Sequence, residues 1–219
     1  MDQSTSNTTL FLDIGAVLLS NGWGQETRNL AAETFYLNEQ EMESRHLTNR
    51  VRHEDRELTL SEYLNQVVFY EKRSFTSDQF SEFMFRHAIP NGRMIEFIQQ
   101  LKEHYRLKIT IINNEGRVMN EYLIKKFKLN QFIDFFISSC FVHCDQSETD
   151  VLRLALNVTH IQTEHAVYVD DIQSFVDVAK SMGIKSIRHK NHLSTSEVLI
   201  PLGLKMKNQK KSLQLIAEY

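Results

Sequence analysis

The sequence is poor in the residues that staple or punctuate small folds: of 219 residues, two are cysteine, two proline and seven glycine. Cys140 and Cys144 are too few for a secreted disulfide scaffold, and no charged-then-apolar leader stands at Met1 to Asn7. A reducing, cytoplasmic setting is the expectation. Surplus positive charge is missing too, since 25 Lys and Arg against 28 Asp and Glu leave a net charge of −3. Without a basic field, counterion release cannot drive nucleic-acid binding. No apolar run approaches the roughly 20 residues of a membrane-spanning helix. Neither nucleic acid nor a membrane is therefore an expected partner.

What remains is the composition of a globular protein, 42% hydrophobic and 24% charged. Short, largely apolar runs stand at Thr9 to Asp13, ending in the acid, and at Leu107 to Ile112, Phe132 to Ile137, Ala166 to Val169 and Lys185 to Ile187. Runs of this length read as strands buried on both faces of a parallel sheet. Helical patterns over Arg93 to His104, Arg117 to Lys128 and Ile172 to Met182 lie between them. Strand alternating with helix predicts an α/β fold with a doubly wound parallel sheet.

Between the first two strands, about Gln25 to Ala88, the periodicity is helical throughout. Thr59-Leu-Ser-Glu62 and Thr76-Ser-Asp-Gln79 both have the capping-box pattern that starts a helix. Pro90 and Gly92 mark the return to the sheet. The aromatic residues Phe69, Tyr70, Phe75, Phe80, Phe83 and Phe85 are spaced as the core of this insertion. Trp23, flanked by Gly22 and Gly24, could instead face an entrance.

Three acids fall at carboxyl ends of strands, where an open parallel sheet binds its ligands: Asp13 after the first, Asp170 and Asp171 after the fourth. Unpaired buried carboxylates are costly, so such a group suggests a hard divalent cation, magnesium in the first place. The alternative is that Asp170 or Asp171 caps the following helix. Asn113-Asn-Glu-Gly116, on the same rim, could receive an anion or could serve only as a turn. Cys140, His143 and Cys144 lack the second ligand pair of a zinc site and read as core filler, and His189 and His192 read as surface loop residues.

Phe11-Leu-Asp-Ile-Gly-Ala-Val-Leu-Leu19, Ile112-Asn-Asn-Glu-Gly116 and Tyr168-Val-Asp-Asp171, in this order, resemble the motifs of the haloacid dehalogenase-like hydrolases over about residues 9 to 204. The resemblance implies a Rossmann-like core (1–20 and 90–204), an inserted α-helical cap (21–89) and a tail (205–219) that is either a docking helix or a frayed end. It further implies Mg2+ and an aspartyl-phosphate intermediate. Asp13 would be nucleophile and metal ligand, the Gly15 carbonyl and Asp171 further ligands, Asp170 their support, and Asn113, Asn114 and Gln146 the substrate-binding side chains.

Two helpers common in that family are replaced. Gly15 stands where its phosphatases usually carry a second Asp as acid/base, and the family's Lys-Pro pair corresponds to Gln146 and Ser147. Arg117 or Lys125 could bring back the positive charge. The resemblance thus implies a magnesium-dependent phosphatase of a small phosphorylated metabolite, alongside a degenerate relative that binds a phospho-ligand or protein partner without turnover. A haloacid dehalogenase ranks third. Substrate identity and oligomeric state are left open.

Overall fold

The computed structural model describes residues 8–54, 57–142, 148–199 and Leu204. Five parallel strands form one sheet: β1 (Thr9–Leu12), β2 (Lys108–Asn113), β3 (Phe135–Ser138), β4 (Ala166–Asp170) and β5 (Lys185–Arg188). Their order is β3-β2-β1-β4-β5, and Leu12 lies opposite both Ile111 and Val169. β1 is central, so all four of its residues are buried, which is why its sequence is apolar without alternation. The chain steps from β1 to β2 and β3 on one side, then crosses to β4 and β5 on the other. A crevice opens at that switch, between the carboxyl ends of β1 and β4.

Of the helices between β1 and β2, the first four make up the insertion: α1 (Gln25–Thr34), α2 (Glu39–Glu54), α3 (Leu60–Val67) and α4 (Ser77–Arg86). Both anticipated capping boxes form. Thr59 and Thr76 accept from the backbone N–H of Glu62 and Gln79, whose side chains accept from the Thr59 and Thr76 N–H in return. The two passages joining these helices to the sheet run side by side, with Ser20 N–H donating to Ile89 O (2.7 Å) and Asn91 N–H to Leu18 O (2.9 Å).

Phe35, Phe69, Phe75, Phe80 and Phe83 form a chain of ring contacts, from 4.4 Å between Phe35 and Phe75 upward. Phe85 departs from the expected arrangement. It stacks at 4.6 Å on Tyr122 of α6 (Arg117–Lys126), outside the insertion. Tyr70 is likewise elsewhere, between the Arg45 and Arg73 guanidinium groups. One apolar cluster continues from Phe80 and Leu64 through Trp23 to Leu18, Leu12 and Ile98 of α5 (Gly92–Tyr105). A second, around Phe11, Ile112, Leu152 and Tyr168, fills the other face of the sheet beneath α8 (Glu148–Thr159) and α9 (Gln173–Ser181).

The third strand is shorter than its apolar run suggested. Leu129–Gln131 form a tight turn, and β3 runs only from Phe135, with Asp134 just ahead of it donating its N–H to Ile109 O (2.8 Å) while its carboxylate accepts from Ile109 N–H (2.8 Å) and Lys102 Nζ (2.5 Å). Phe132 and Ile133 are buried as packing residues instead. Two short helices remain, α7 (Ser139–Val142) and α10 (His192–Leu199). His189 is buried against Thr195 Oγ1 (2.8 Å) and His192 packs edge-on to Phe97, so neither is a loose surface residue. Among the described residues no helix is long and apolar enough to cross a membrane. The tail 205–219 lies outside the described residues.

Candidate functional site

Backbone geometry sets the sheet rim of the crevice. Asp13 N–H donates to Val169 O (3.1 Å), extending the β1–β4 ladder by one residue and delivering the Asp13 side chain just beyond the strand end. The chain then turns through Ile14–Leu18, closed by Leu19 N–H to Ile14 O (2.9 Å), with Ala16 in the left-handed region at φ 55°. Gly15 sits tight against the acid. A Cβ there would stand 3.3 Å from Asp13 Oδ2.

Asp170 is almost fully buried and both carboxylate oxygens are engaged, Oδ1 by Ile172 N–H (2.7 Å) and Oδ2 by the Tyr168 hydroxyl. Asp171 lines the cleft, and its carbonyl accepts from Arg188 Nε (3.1 Å). Burial pushes all three carboxyls above the ordinary carboxylate range, and the charges of Asp170 and Asp171 push Asp13 further. Such mutual repulsion is what a bound cation relieves. No set of three His, Cys, Asp or Glu side chains among the described residues is grouped to hold a metal by itself. Carboxylate and backbone carbonyl oxygens are nonetheless the donor types that Mg2+ takes, usually completed by water and phosphate.

Asn113 ends β2 at the same rim. Its Oδ1 accepts from Ser138 Oγ (2.5 Å) and its Nδ2 donates weakly to Asn120 Oδ1 (3.5 Å), while Asn114 is exposed at the cleft edge. Asn120 in turn donates to buried Cys140 Sγ (3.4 Å), which makes that thiol part of the packing. Gln146, Ser147, His143 and Cys144 lie outside the described residues. Arg117 and Lys125 do not line the cleft, and Arg117 is spent on Glu121 at 2.6 Å.

The facing wall comes from the helical insertion and had no counterpart in the sequence reading apart from Trp23. Arg28, His46, Arg50 and Glu54 join Trp23 there, enclosing with the rim a cleft of about 330 Å³. The Trp23 indole N–H donates to Tyr63 Oη (2.9 Å), and the same hydroxyl is hydrogen-bonded to His46 Nδ1 (2.7 Å). Burial holds His46 down at about 4, hence neutral. Arg28 is committed to Glu43 through two hydrogen bonds (2.6 and 2.8 Å) and to Trp23 O. Arg50, half-exposed and 3.7 Å from Glu54, is the freer cation.

Insertion and core meet at Gly116, whose ordinary φ of −61° would suit any residue. Contact decides this position: a Cβ on Gly116 would lie 2.1 Å from His53 Nε2, because that ring rests on the glycine and stacks on Tyr63 at 4.5 Å. Ser139 Oγ also donates to Glu54 O (3.0 Å). Beside this contact Glu115 lines the cleft, its Oε1 held by Gly116 N–H (2.8 Å). Burial and the Glu54 charge push Glu115 up to about 7.

A family model described as haloacid dehalogenase-like hydrolase matches residues 25–189, well over half of the chain. The chain belongs to that family. β1 and Asp13 precede the matched span, so the rim geometry adds to the match at that end. No curated protein sequence matches. Among solved structures, a HAD family enzyme from Bacteroides thetaiotaomicron is similar at a TM-score of 0.72 with 15% identity, over 88% of this chain and 98% of that one. The same enzyme in complex with magnesium and inorganic phosphate gives 0.71 and 14%, over 85% and 96%. A predicted HAD-like family hydrolase from Porphyromonas gingivalis gives 0.68 and 13%, over 91% and 98%. Identities this low speak for the fold, which is the haloacid dehalogenase-like α/β fold.

Proposed function

We propose that the chain is a magnesium-dependent phosphatase of a small phosphorylated metabolite, working through an aspartyl-phosphate on Asp13. The observation that carries the reading is the meeting of Asp13 with Asp170 and Asp171 across the strand-order switch, at the floor of a cleft closed on its other side by helices. In this reading residues 21–89 form the cap over a core of 1–20 and 90–204. Asp13, the Gly15 carbonyl and Asp171 hold Mg2+, with Asp170 as their support. Bound there, the cation neutralises charge between the nucleophile and an anionic phosphoryl group. Asp13 attacks phosphorus and splits one hard displacement into two easier ones. Asn113, Asn114 and Gln146 hold the phosphoryl oxygens, and the helical wall selects the leaving group.

The test is a panel of phosphomonoesters assayed with magnesium, comparing the chain with Asp13→Asn. The wild type releases phosphate and the variant does not; equal background rates overturn the reading. A second reading is favoured by Gly15, which leaves the position two residues after Asp13 without the usual second acid. It holds that the chain binds a phospho-ligand or protein partner without turnover. Under it, the wild type is inert and Gln146→Lys creates activity; wild-type turnover near the typical ~10 s⁻¹ dismisses it.

A further inference from the structure

We propose that Glu115 is the acid and base of this site, giving its proton to the departing alkoxide and taking one back from the attacking water. The inference rests on the phosphatase reading. Gly15 leaves the turn after β1 without a second carboxyl, so the proton has to come from another part of the cleft. Glu115 lines the same cleft as Asp13, and its charge acts on that acid. One oxygen is anchored by the Gly116 N–H, and Oε2 has no protein partner among the described residues. The His53 ring lies directly on Gly116, the residue that anchors Oε1.

The charged groups that line the cleft with Glu115 are Asp13 at the end of β1, Arg28 on α1, Arg50 and Glu54 on α2, and Asp170 and Asp171 after β4. Three of these acids belong to the cation's surroundings, and Glu54 sits at 3.7 Å from Arg50. His46 is neutral, and its Nδ1 is taken up in a hydrogen bond with the Tyr63 hydroxyl (2.7 Å). Glu115 is the remaining acid that carries a proton near neutrality, at about 7, close to the working pH favoured for proton transfer.

In the first half-reaction Asp13 Oδ forms a bond to phosphorus and the P–O ester bond breaks. Its electron pair stays on the ester oxygen, which takes the Glu115 proton and leaves as an alcohol. In the second, Glu115 carboxylate takes a proton from water as the water oxygen bonds to phosphorus. The P–Oδ bond breaks, the pair returns to Asp13, inorganic phosphate departs, and Glu115 is protonated again.

The experiment compares kcat/KM of wild type, Glu115→Gln and Glu115→Asp, with magnesium, on phenyl phosphate and on p-nitrophenyl phosphate. The two esters are similar in size, but only the first has a leaving group basic enough to need a proton. Glu115→Gln is expected to lower the phenyl phosphate value by about 10²–10⁴-fold, and the p-nitrophenyl value by about tenfold at most. The fall in phenyl phosphate rate above pH ~7 in the wild type disappears in Glu115→Gln, and Glu115→Asp recovers part of the loss. Should Glu115→Gln not fold, Glu115→Asp reads the same contrast. Equal losses on both esters, or none, overturn the role of Glu115 while leaving the phosphatase reading standing. A wild type inactive on both esters overturns the two together.

Discussion

The two walls of the cleft are built differently. On the sheet rim, backbone geometry positions the chemistry: Asp13 continues a strand ladder, and Asp170 is fixed by an amide two residues on and a hydroxyl two residues back. On the helical wall, side chains position one another across the sequence, with Trp23 bonded to Tyr63, Tyr63 to His46, and His53 stacked on Tyr63. Rim residues are therefore insensitive to changes elsewhere. The helical wall should respond as a unit.

The largest effect separates chemistry from stability on the rim. Asp13→Asn should abolish phosphate release while stabilising the metal-free fold, because it removes a buried charge that Asp170 and Asp171 repel. Thermal melting in chelator is expected to rise by a few degrees, about 1–2 kcal/mol. A lowered Tm would show that the rim does not carry the strain assigned to it.

The next effect tests the helical wall through pH. His46 titrates at about 4 in the fold against 6.5 when free, so acid protonates the unfolded chain first and draws it away from the native state. Stability conferred by neutral His46 is whole above pH 6.5 and falls as pH drops towards 4, on the order of 3 kcal/mol in full. Urea midpoints at pH 7 and pH 5 should differ more for wild type than for His46→Gln. Equal differences would remove His46 from the buried network.

Tyr63→Phe should cost about 1–3 kcal/mol in urea unfolding, since it leaves the Trp23 N–H without its acceptor and His46 Nδ1 without its hydrogen-bond partner. Fluorescence of Trp23, the single tryptophan, should shift in parallel. An effect of similar size concerns the meeting of the two walls. Gly116→Ala forces a methyl into the His53 ring at a cost of about 1–3 kcal/mol. His53→Ala in the same chain should restore most of it, with a coupling above roughly 0.5 kcal/mol. Independent, additive costs would mean that the ring yields freely.

The contrast also explains what the sequence disclosed. The apolar run ending in Asp13 and the pair Asp170-Asp171 report the sheet and its rim, because strand position and ligand end follow from local pattern and topology. Both capping boxes are equally local, and both form. Arg28, His46 and Arg50 were illegible, since each is an ordinary polar residue of an amphipathic helix until α1 and α2 pack over the crevice. Phe85 was misread for the same reason: its helical spacing matches Phe80 and Phe83, and only packing sends it to Tyr122. Gly116 looked like a turn glycine, whereas its backbone is ordinary and its smallness answers to His53.

The central place of β1 has a kinetic consequence. Thr9–Leu12 pair with residues 108–111 and 166–169, so neither neighbour exists until long stretches of chain have followed. Contacts so distant in sequence close slowly. During synthesis the first strand emerges with its apolar edges unpaired, while α1–α4 can already nucleate from their own caps. Refolding should therefore show early helix formation followed by a slower phase in which β1 is captured. In that interval Asp13 has no cleft around it, and an unpaired apolar strand is prone to aggregate.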